Sequence, residues 1–565
     1  MSKNLGYLSG RKGLNKNLFE ELSKAAASSG TPSQEDLDQI RDEFLVGKAS
    51  VLGTVTFYDF LRPENQGKKV YVCNGSACMT AGTQAVLKSK LSGKFNEAEI
   101  GEMCCLGRCH ENSAFHIDQH NYSGTDIDSI DNIISRHTLS VEKYHVDHIG
   151  TPVLTASCPA PASYYSLFEK ALKNNPADLL AAVKTSNLRG RGGAGFPMAF
   201  KLESCRNMPG ELKFLVCNAD EGDPGAYSDR YIMEERPHAL LLGMMLAGYM
   251  MGARYGVVYI RAEYPESVDI VNEAINTIHQ LGLIGENIRD SGFSFDFKVI
   301  KAQGAYICGE ETGLLESLEG KPGKPRFKPP FPAAFGLYGR PTTINNTQSF
   351  ALVPTILRRG PKWFADLGPE GSGGTAIFSV SGHVERPGNY ELPMGIPFRE
   401  LLKIAGGMRD GRRLKAVIPG GSSVYVVPGD LIMDVTMDYN SLKNIGTSFG
   451  TGAVIVMDET TCMVSVLRRL SRFYFAESCG QCTPCREGTG WMYRLLSRVL
   501  AGEAERKDLD LLLDVAGHIE GHTICAFGDA SAWPVQSFLR HFMPEFEYMI
   551  QHRGRSIVES RTEAA

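Results

Sequence analysis

Several things are scarce in this chain of 565 residues. Its longest apolar run, "ALLLGMMLAGYMMGA" from Ala239 to Ala253, is too short and too glycine-punctuated for a membrane span and predicts a buried helix instead. The opening "MSKNLGYLSGRKG" has no apolar core of a signal peptide, so the expected location is the cytoplasm, with no direct membrane insertion. A formal net charge of −5 supplies no basic field, which argues against nucleic acid as a partner. Fourteen cysteines are too few for a disulfide scaffold of this length, and their uneven placement points to metal or redox work in a reducing compartment. What remains is ordinary globular composition, 43% hydrophobic and 22% charged, in a chain long enough for several domains.

The densest cysteine cluster is "ESCGQCTPCREGTG", with two residues between Cys479 and Cys482 and two between Cys482 and Cys485, and Cys525 returning forty residues later in "GHTICAFGD". One loop offering three thiolates and a remote fourth suits the corners of a [4Fe–4S] cube. A four-cysteine zinc site is the alternative, though such sites usually arrive as two separated C-x2-C pairs. The intervening "WMYRLLSRVLAGEAERKDLDLLLDVAGHIEG" has helical periodicity, so a small helical bundle is expected to present the site.

A second set comprises Cys73 and Cys78 in "VYVCNGSACMTAG", and Cys105 and Cys109 in "GEMCCLGRCHENS". Each pair follows a predicted strand, and the order strand, helix, strand, strand ("AFHID"), helix ("DSIDNIISRH") suggests a thioredoxin-like core. Two loops of two cysteines supply two thiolates to each iron of a [2Fe–2S] cluster, with zinc again the alternative and Cys104 a competitor for Cys105. His110 reads as a loop residue. The other cysteines, Cys158, Cys205, Cys217, Cys308 and Cys462, read as free thiols.

Between these sets the chain is rich in glycine. "NLRGRGGAGFPMAFKLE" holds Gly190, Gly192 and Gly195 in a G-x-G-x-x-G pattern that follows a helical stretch and not a strand, which is weak evidence for a nucleotide by itself. Four glycines would let backbone amides approach a phosphate, with Arg189, Arg191 and Lys201 adding positive charge at a helix start. Two predicted strands, "LKFLVCN" and "FDFKVIKA", end in loops carrying carboxylates and glycines, where ligands bind in open α/β sheets.

The segments "GRGGAGFP", "NADEGDPGAYSDR", "GAYICGEETGLLESLEGKPGKPRFKPPFP", "PTTINN" and "ESCGQCTPCREGTGWMYR…HTICAFGDASAWPVQ" resemble the flavin-carrying NADH-binding subunit of respiratory complex I, from about Asp178 to Phe546. The part up to about His137 resembles the neighbouring thioredoxin-like [2Fe–2S] subunit, fused here in one chain as in the diaphorase subunits of NAD-linked formate dehydrogenases and NAD-reducing hydrogenases. "AIFSVSGHVERPGNYELPMGIPFRELLKIAGG" resembles the family's ubiquitin-like (SLBB) domain. The resemblance implies a multidomain α/β architecture: a helical segment plus thioredoxin-like [2Fe–2S] domain over residues 1–140, a Rossmann-like FMN and NADH domain over 141–372, the SLBB domain over 373–455 and a helical bundle with [4Fe–4S] over 456–565.

It also implies site residues. FMN would lie on Gly190, Arg191, Gly192, Gly193 and Gly195, with Lys201 near its phosphate. Asn218, Asp220, Glu221, Tyr306, Gly309 and Glu310 would grip it, together with Asn345 and Asn346. Phe196, Glu311, Lys328 and Phe331 would meet NADH, with Glu311 orienting the nicotinamide. Cys479, Cys482, Cys485 and Cys525 would hold [4Fe–4S], and Cys73, Cys78, Cys105 and Cys109 would hold [2Fe–2S]. Three positions depart from the family pattern. "KLES" stands for Lys-Trp-x-Phe, which removes an aromatic platform for adenine at Ser204. Asp223 and Gln348 replace usual glutamates, with small effects expected on the flavin pocket.

Nicotinamide exchanges two electrons at once and each cluster one, so a flavin between them is the required converter. The expected function is an NADH/NAD+ oxidoreductase (diaphorase) subunit of a larger redox complex. The first candidate for the host is an NAD-linked molybdenum formate dehydrogenase, then a nickel–iron hydrogenase or complex I. The alternatives of another class are an electron-relay subunit without nucleotide turnover and a zinc-stabilised scaffold, which flavin content and iron against zinc would separate.

Overall fold

The computed structural model describes residues 14 to 563 except 15, 28, 119 and 137–144. Three sheets organise it. The first contains β1 (Val70–Cys73), β2 (Ile100–Met103), β3 (Ala114–Ile117) and β4 (His120–Ser123) in the order β2-β1-β3-β4, with β1 and β2 parallel and the rest antiparallel. Helices Ser76–Ala81, Gln84–Leu91 and Ile130–Arg136 complete the expected thioredoxin-like order, while His137 at the end of the predicted last helix lies outside the described residues.

A short strand β5 (Val146–His148) precedes the second unit, whose strands are β6 (Phe214–Ala219), β7 (Tyr255–Ile260), β8 (Asp296–Lys301) and β9 (Thr342–Asn346). Their order is β8-β7-β6-β9 and every pairing is parallel, so all four strands end on one edge. The apolar run forms the helix Pro237–Met251, buried along nearly its whole length as expected. A Cβ on Gly243 would sit 1.8 Å from the Phe350 carbonyl oxygen, so glycine is what lets this helix lie against the helix Thr347–Arg359. Among the described residues no helix is long and apolar enough to cross a membrane.

The third sheet runs β13-β12-β14-β10-β11-β5, with β10 (Thr375–Gly382), β11 (Gly388–Pro393), β12 (Leu414–Ile418), β13 (Val427–Pro428) and β14 (Ala453–Asp458). Strand β10, hairpin β11 and helix Phe398–Ile404 match the predicted strand–hairpin–helix unit. Sequence patterning did not foresee that β5, from ahead of the flavin-type unit, adds the edge strand to this sheet. The buried Glu391 on β11 explains the attachment. Its carboxylate accepts hydrogen bonds from the amides of Val153, Leu154 and Thr155 and from the hydroxyls of Thr155 and Thr375. The chain ends in the predicted bundle, helices Met463–Glu477, Thr483–Ala501, Arg506–Ile519 and Phe527–Gln551, around a core that includes Leu467, Leu496, Leu512 and Phe538.

Candidate functional site

The glycine loop is a closed turn. Arg189 bridges Pro197, the Gly190 amide donates to the Phe196 carbonyl at 2.8 Å, and the helix Met198–Arg206 starts directly afterwards. Gly193 has φ +124, and the space its Cβ would enter is open, whereas a Cβ on Gly192 would press 2.8 Å from Asn346 at the end of β9. The loop therefore meets the carboxyl edge of the parallel sheet at Asn346, with open space beside Gly193.

The arginines behave differently from the expectation that they add charge toward a phosphate. Arg191 is buried, and its guanidinium donates to the carbonyls of Gly373, Thr375 and Arg189, fastening the loop to the start of β10. Arg189 donates to the Gly195 carbonyl and lies over the Tyr439 ring. Lys201 is the basic side chain that reaches the predicted acids, pairing with Glu311 at 2.9 Å. Lys328 meets Glu310 at 2.8 Å and Glu311 at 3.0 Å. Burial works to raise the Glu311 carboxyl, but the two ammonium groups outweigh it and hold the group below the usual carboxylate range.

Other predicted residues divide by what their side chains already do. Asn218 donates to the Gly309 carbonyl at 2.9 Å. Glu310 caps the helix Glu311–Leu318 through the amides of Thr312 and Gly313. The Glu221 carboxylate accepts from the amides of Asp229 and Arg230 and from the Tyr264 hydroxyl, anchoring the helix Ser228–Glu235 from a backbone at φ +31. Asn346 caps the helix after β9 and donates to Asp229 at 2.6 Å. Two groups have polar atoms left over: Asp220 Oδ2 and Asn345 Nδ2 are buried and have no hydrogen-bond partner. An unpaired acceptor at the end of β6 and an unpaired donor at the end of β9, beside an open glycine loop, fit a polar planar ligand such as FMN. The two departures lie outside this set. Asp223 accepts from Ser422 and Ser423 of the SLBB unit, and burial pushes its carboxyl up to about 6 against those hydrogen bonds. Gln348 joins Ser228 to the Ile377 amide.

At the mouth of the site, Phe196 and Phe331 are exposed, at 48% and 58%. Phe200, unremarked in the sequence, is 55% exposed one helical turn before Ser204, with its ring edge-on to Phe196 at 5.4 Å. Its only advance signal was an aromatic residue beside the lysine of the glycine-loop helix.

The N-terminal thiols are all buried. Cys105 and Cys109 have their sulfurs 3.5 Å apart, and Cys73 hydrogen-bonds Cys78, so the set arrives as two pairs. A Cβ on Gly75 would lie 3.1 Å from Cys105, which brings the two loops together. The two competitors face different surroundings: Cys105 has its sulfur 3.5 Å from that of Cys109, whereas Cys104, which also packs against that pair, lines a polar chamber of about 10 Å3 with Asp59, Asp220, Glu263 and Glu477. His110 lies against the Tyr227 ring.

The C-terminal thiols sit at helix ends. Cys479 and Cys482 occupy the link into the helix Thr483–Ala501, Cys485 its first turn, and Cys525 the turn before Phe527–Gln551. All four belong to one apolar cluster with Tyr306 and Phe473. The Ile524 amide donates to Cys482 Sγ at 3.3 Å, and Ser478 lies 3.2 Å from Cys485 Sγ. Burial pushes Cys485 up to about 11 and Cys525 to about 12, values that a bound metal would override. Among the described residues no three His, Cys, Asp or Glu side chains converge as a single metal ion requires. Two pairs of cysteines on two loops, and three cysteines of one loop with a fourth from another in the same apolar cluster, are donor sets that fit clusters better than one tetrahedral zinc.

Both thiol sets flank the same sheet edge. Tyr264, following β7, packs on Gly107 of the N-terminal loop. Tyr306, following β8, packs against Phe473 at 5.0 Å and Phe527 at 5.8 Å beside the C-terminal loop, and its amide donates to Glu477.

Comparison with known proteins agrees with this layout. Residues 183–355 match the Nuo51 FMN-binding domain, 377–427 the SLBB domain, 465–549 the NADH-ubiquinone oxidoreductase-F iron-sulfur binding region and 7–138 the thioredoxin-like [2Fe-2S] ferredoxin. The F subunit of NADH-quinone oxidoreductase from Rickettsia bellii is 53% identical over 388 residues, 68% of this chain and 92% of that protein. The chain belongs to the family of NADH-quinone oxidoreductase F subunits. The corresponding F 1 subunit from Rhizobium meliloti is 51% identical over 381 residues, 67% of this chain and 88% of its own length. A crystal structure of NAD+-reducing [NiFe]-hydrogenase superposes with a TM-score of 0.83 at 28% identity, over 97% of this chain and 94% of that one. At 97% of the chain that match takes in most of the N-terminal unit as well.

Proposed function

We propose that this member of the F-subunit family is the NAD(H)-facing component of a larger redox complex. It is an NADH dehydrogenase-type oxidoreductase with FMN, one [4Fe–4S] and one [2Fe–2S] cluster as cofactors. The observation that carries the reading is the shared sheet edge, where the open glycine loop and the unpaired Asp220 and Asn345 atoms lie between two cysteine sets. A bound FMN would supply the conversion between the two-electron chemistry of nicotinamide and the one-electron chemistry of the clusters.

The chain's own residues bind, orient and exclude water. Gly192 and Gly193 offer backbone amides, Asn345 a donor and Asp220 an acceptor, while the Gly190 amide closes the turn onto Phe196. Arg191 contributes by holding the loop in place, its amide donating to the Ser349 hydroxyl and its guanidinium to carbonyls at the start of β10. Glu310 and Asn346 shape the site by capping the two helices that border it. Tyr306, half-buried among aromatic rings, closes the side toward Cys479, Cys482, Cys485 and Cys525. Hydride transfer asks for positioning more than for an acid or base. Glu311, kept ionised between Lys201 and Lys328, orients the nicotinamide, and Phe196 and Phe331 offer rings to the dinucleotide.

Glu311→Gln tests the orientation role. It is expected to lower NADH turnover at least tenfold while the purified protein retains FMN; unchanged turnover would remove Glu311 from that role.

The fusion of both cluster units in one chain supports a cytoplasmic NAD-linked dehydrogenase of the formate class as host. A nickel–iron hydrogenase is the second reading, favoured by the match that spans nearly the whole chain. Partner subunits must carry the other substrate site. Purifying the native complex and measuring molybdenum, nickel, and formate- or hydrogen-dependent NAD+ reduction would decide between them.

A further inference from the structure

The buried Arg261 follows β7 in "YIRAEYP" and is tied to more than one unit. One guanidinium nitrogen, Nη1, donates to the Glu221 carbonyl of the flavin-side loop at 2.6 Å. The other, Nη2, donates to the carbonyl of Cys105 at 2.7 Å and to Glu263 Oε1 at 2.8 Å. Both receiving loops have unusual backbones, with Glu221 at φ +31 and Cys105 at φ +50, conformations that L-residues rarely keep without outside support. The cation is flanked by the Tyr264 ring at 5.0 Å, and Tyr264 in turn donates to the Glu221 carboxylate.

We infer that Arg261 is a positioning residue that couples the flavin site to the N-terminal [2Fe–2S] site, holding the two loops in register and setting the reduction potential of that cluster with its buried charge. The inference rests on the reading of Cys73, Cys78, Cys105 and Cys109 as the [2Fe–2S] ligands. A cluster gains one negative charge when it takes up one electron, and a fixed cation beside its ligand loop favours that state in a poorly screened interior. Glu263 opposes the effect: one oxygen neutralises Arg261 and the other, Oε2, is buried without a partner. The pair acts as a preset bias whose sign depends on which member is removed. The fork geometry matters separately from the charge, because only a guanidinium reaches both carbonyls at once.

The test is a redox titration of the cluster-loaded chain by electron paramagnetic resonance, reading both cluster midpoints, with FMN content measured on the same samples. Arg261→Met should shift the [2Fe–2S] midpoint down and Glu263→Gln should shift it up, each by more than the [4Fe–4S] midpoint, whose loop Arg261 does not touch among its hydrogen-bond partners. Arg261→Lys should keep the midpoint near that of the parent while FMN content falls, since the charge stays and the bridge to Glu221 does not. If Arg261→Met does not fold, the upward shift in Glu263→Gln carries the test. Unmoved [2Fe–2S] midpoints in the folded variants would overturn the inference while leaving the cluster assignment intact. A midpoint displaced as far by Arg261→Lys as by Arg261→Met would overturn its electrostatic half. A parent protein with no [2Fe–2S] signal at all would overturn the assignment and the inference together.

Discussion

The two cysteine sets differ in how they are built. Cys73, Cys78, Cys105 and Cys109 are at most 3% exposed, come in two pairs from two loops of one small sheet, and have a guanidinium bonded to the backbone of one member. Cys479, Cys482 and Cys525 are half-buried, only Cys485 is buried, and they hang from the ends of three helices. The thiol chemistry follows. Cys105 is drawn down to about 6 by its hydrogen bond with Cys109, against burial and with help from Arg261, whereas burial pushes Cys485 up to about 11. Within the first set the lowering is one-sided, because the partner thiols Cys78 and Cys109 are pushed up in turn. The first set also adjoins a unit with an apolar core of its own, whereas the second hangs from the helix ends it joins. Fold and cluster binding should therefore be more separable at the first than at the second.

Removing one ligand from each set gives the largest expected effect. Cys485→Ala should abolish the [4Fe–4S] resonance and lower thermal stability, because the cage ties together the helices that cover Tyr306. Cys105→Ala should abolish the [2Fe–2S] resonance while the thioredoxin-like unit keeps its fold on the apolar core of Val70, Val72, Leu91 and Phe115. Melting curves alongside the spectra check the asymmetry, and equal losses of stability would break the comparison. A milder probe uses exposure alone. An iron chelator added to the native protein should strip the half-buried C-terminal site before the buried N-terminal one, followed as the order in which the two resonances disappear. Simultaneous loss, or the reverse order, would mean that solvent reaches the N-terminal site by local opening.

The same contrast explains what could be read from the sequence. Ligand cysteines are legible because a cluster imposes short spacings on one loop, and "ESCGQCTPC" favours a cluster over zinc on spacing alone. The glycine loop, the buried helix and the order of the thioredoxin-like elements were readable from period and turn chemistry. What escaped were residues whose importance is a contact across the chain. Arg261 is 156 residues from Cys105, Glu391 is 238 from Val153, and β5 pairs with a strand far downstream. No local pattern distinguishes such an arginine or glutamate from a solvated one. Some residues named by resemblance also have partners that no spacing reveals. Arg191 turned to carbonyls, Glu310 to a helix start and Glu221 to two amides, because each was the nearest group able to satisfy them.

The smallest expected effect lies at the mouth of the flavin site, far from either cluster in function. Ser204 lacks the aromatic ring usual in the family, yet Phe200 on the same helix is exposed and meets Phe196 edge-on. Residues four apart lie on one face of a helix, so a ring displaced by one turn still borders the same cleft. Aromatic stacking contributes about 0.5–1.5 kcal/mol beyond burial, so Phe200→Ala should raise the KM for NADH about two- to tenfold. Because the ring touches nothing in either cysteine loop, kcat at saturation, FMN content and both cluster midpoints should stay at their parent values. Steady-state kinetics with the same variant in the background of Cys105→Ala would then show the same ratio of KM values, since sites without shared contacts combine additively. A ratio that changed would mean that the mouth of the flavin site senses the N-terminal cluster, and Arg261 would be the first contact to examine for the link.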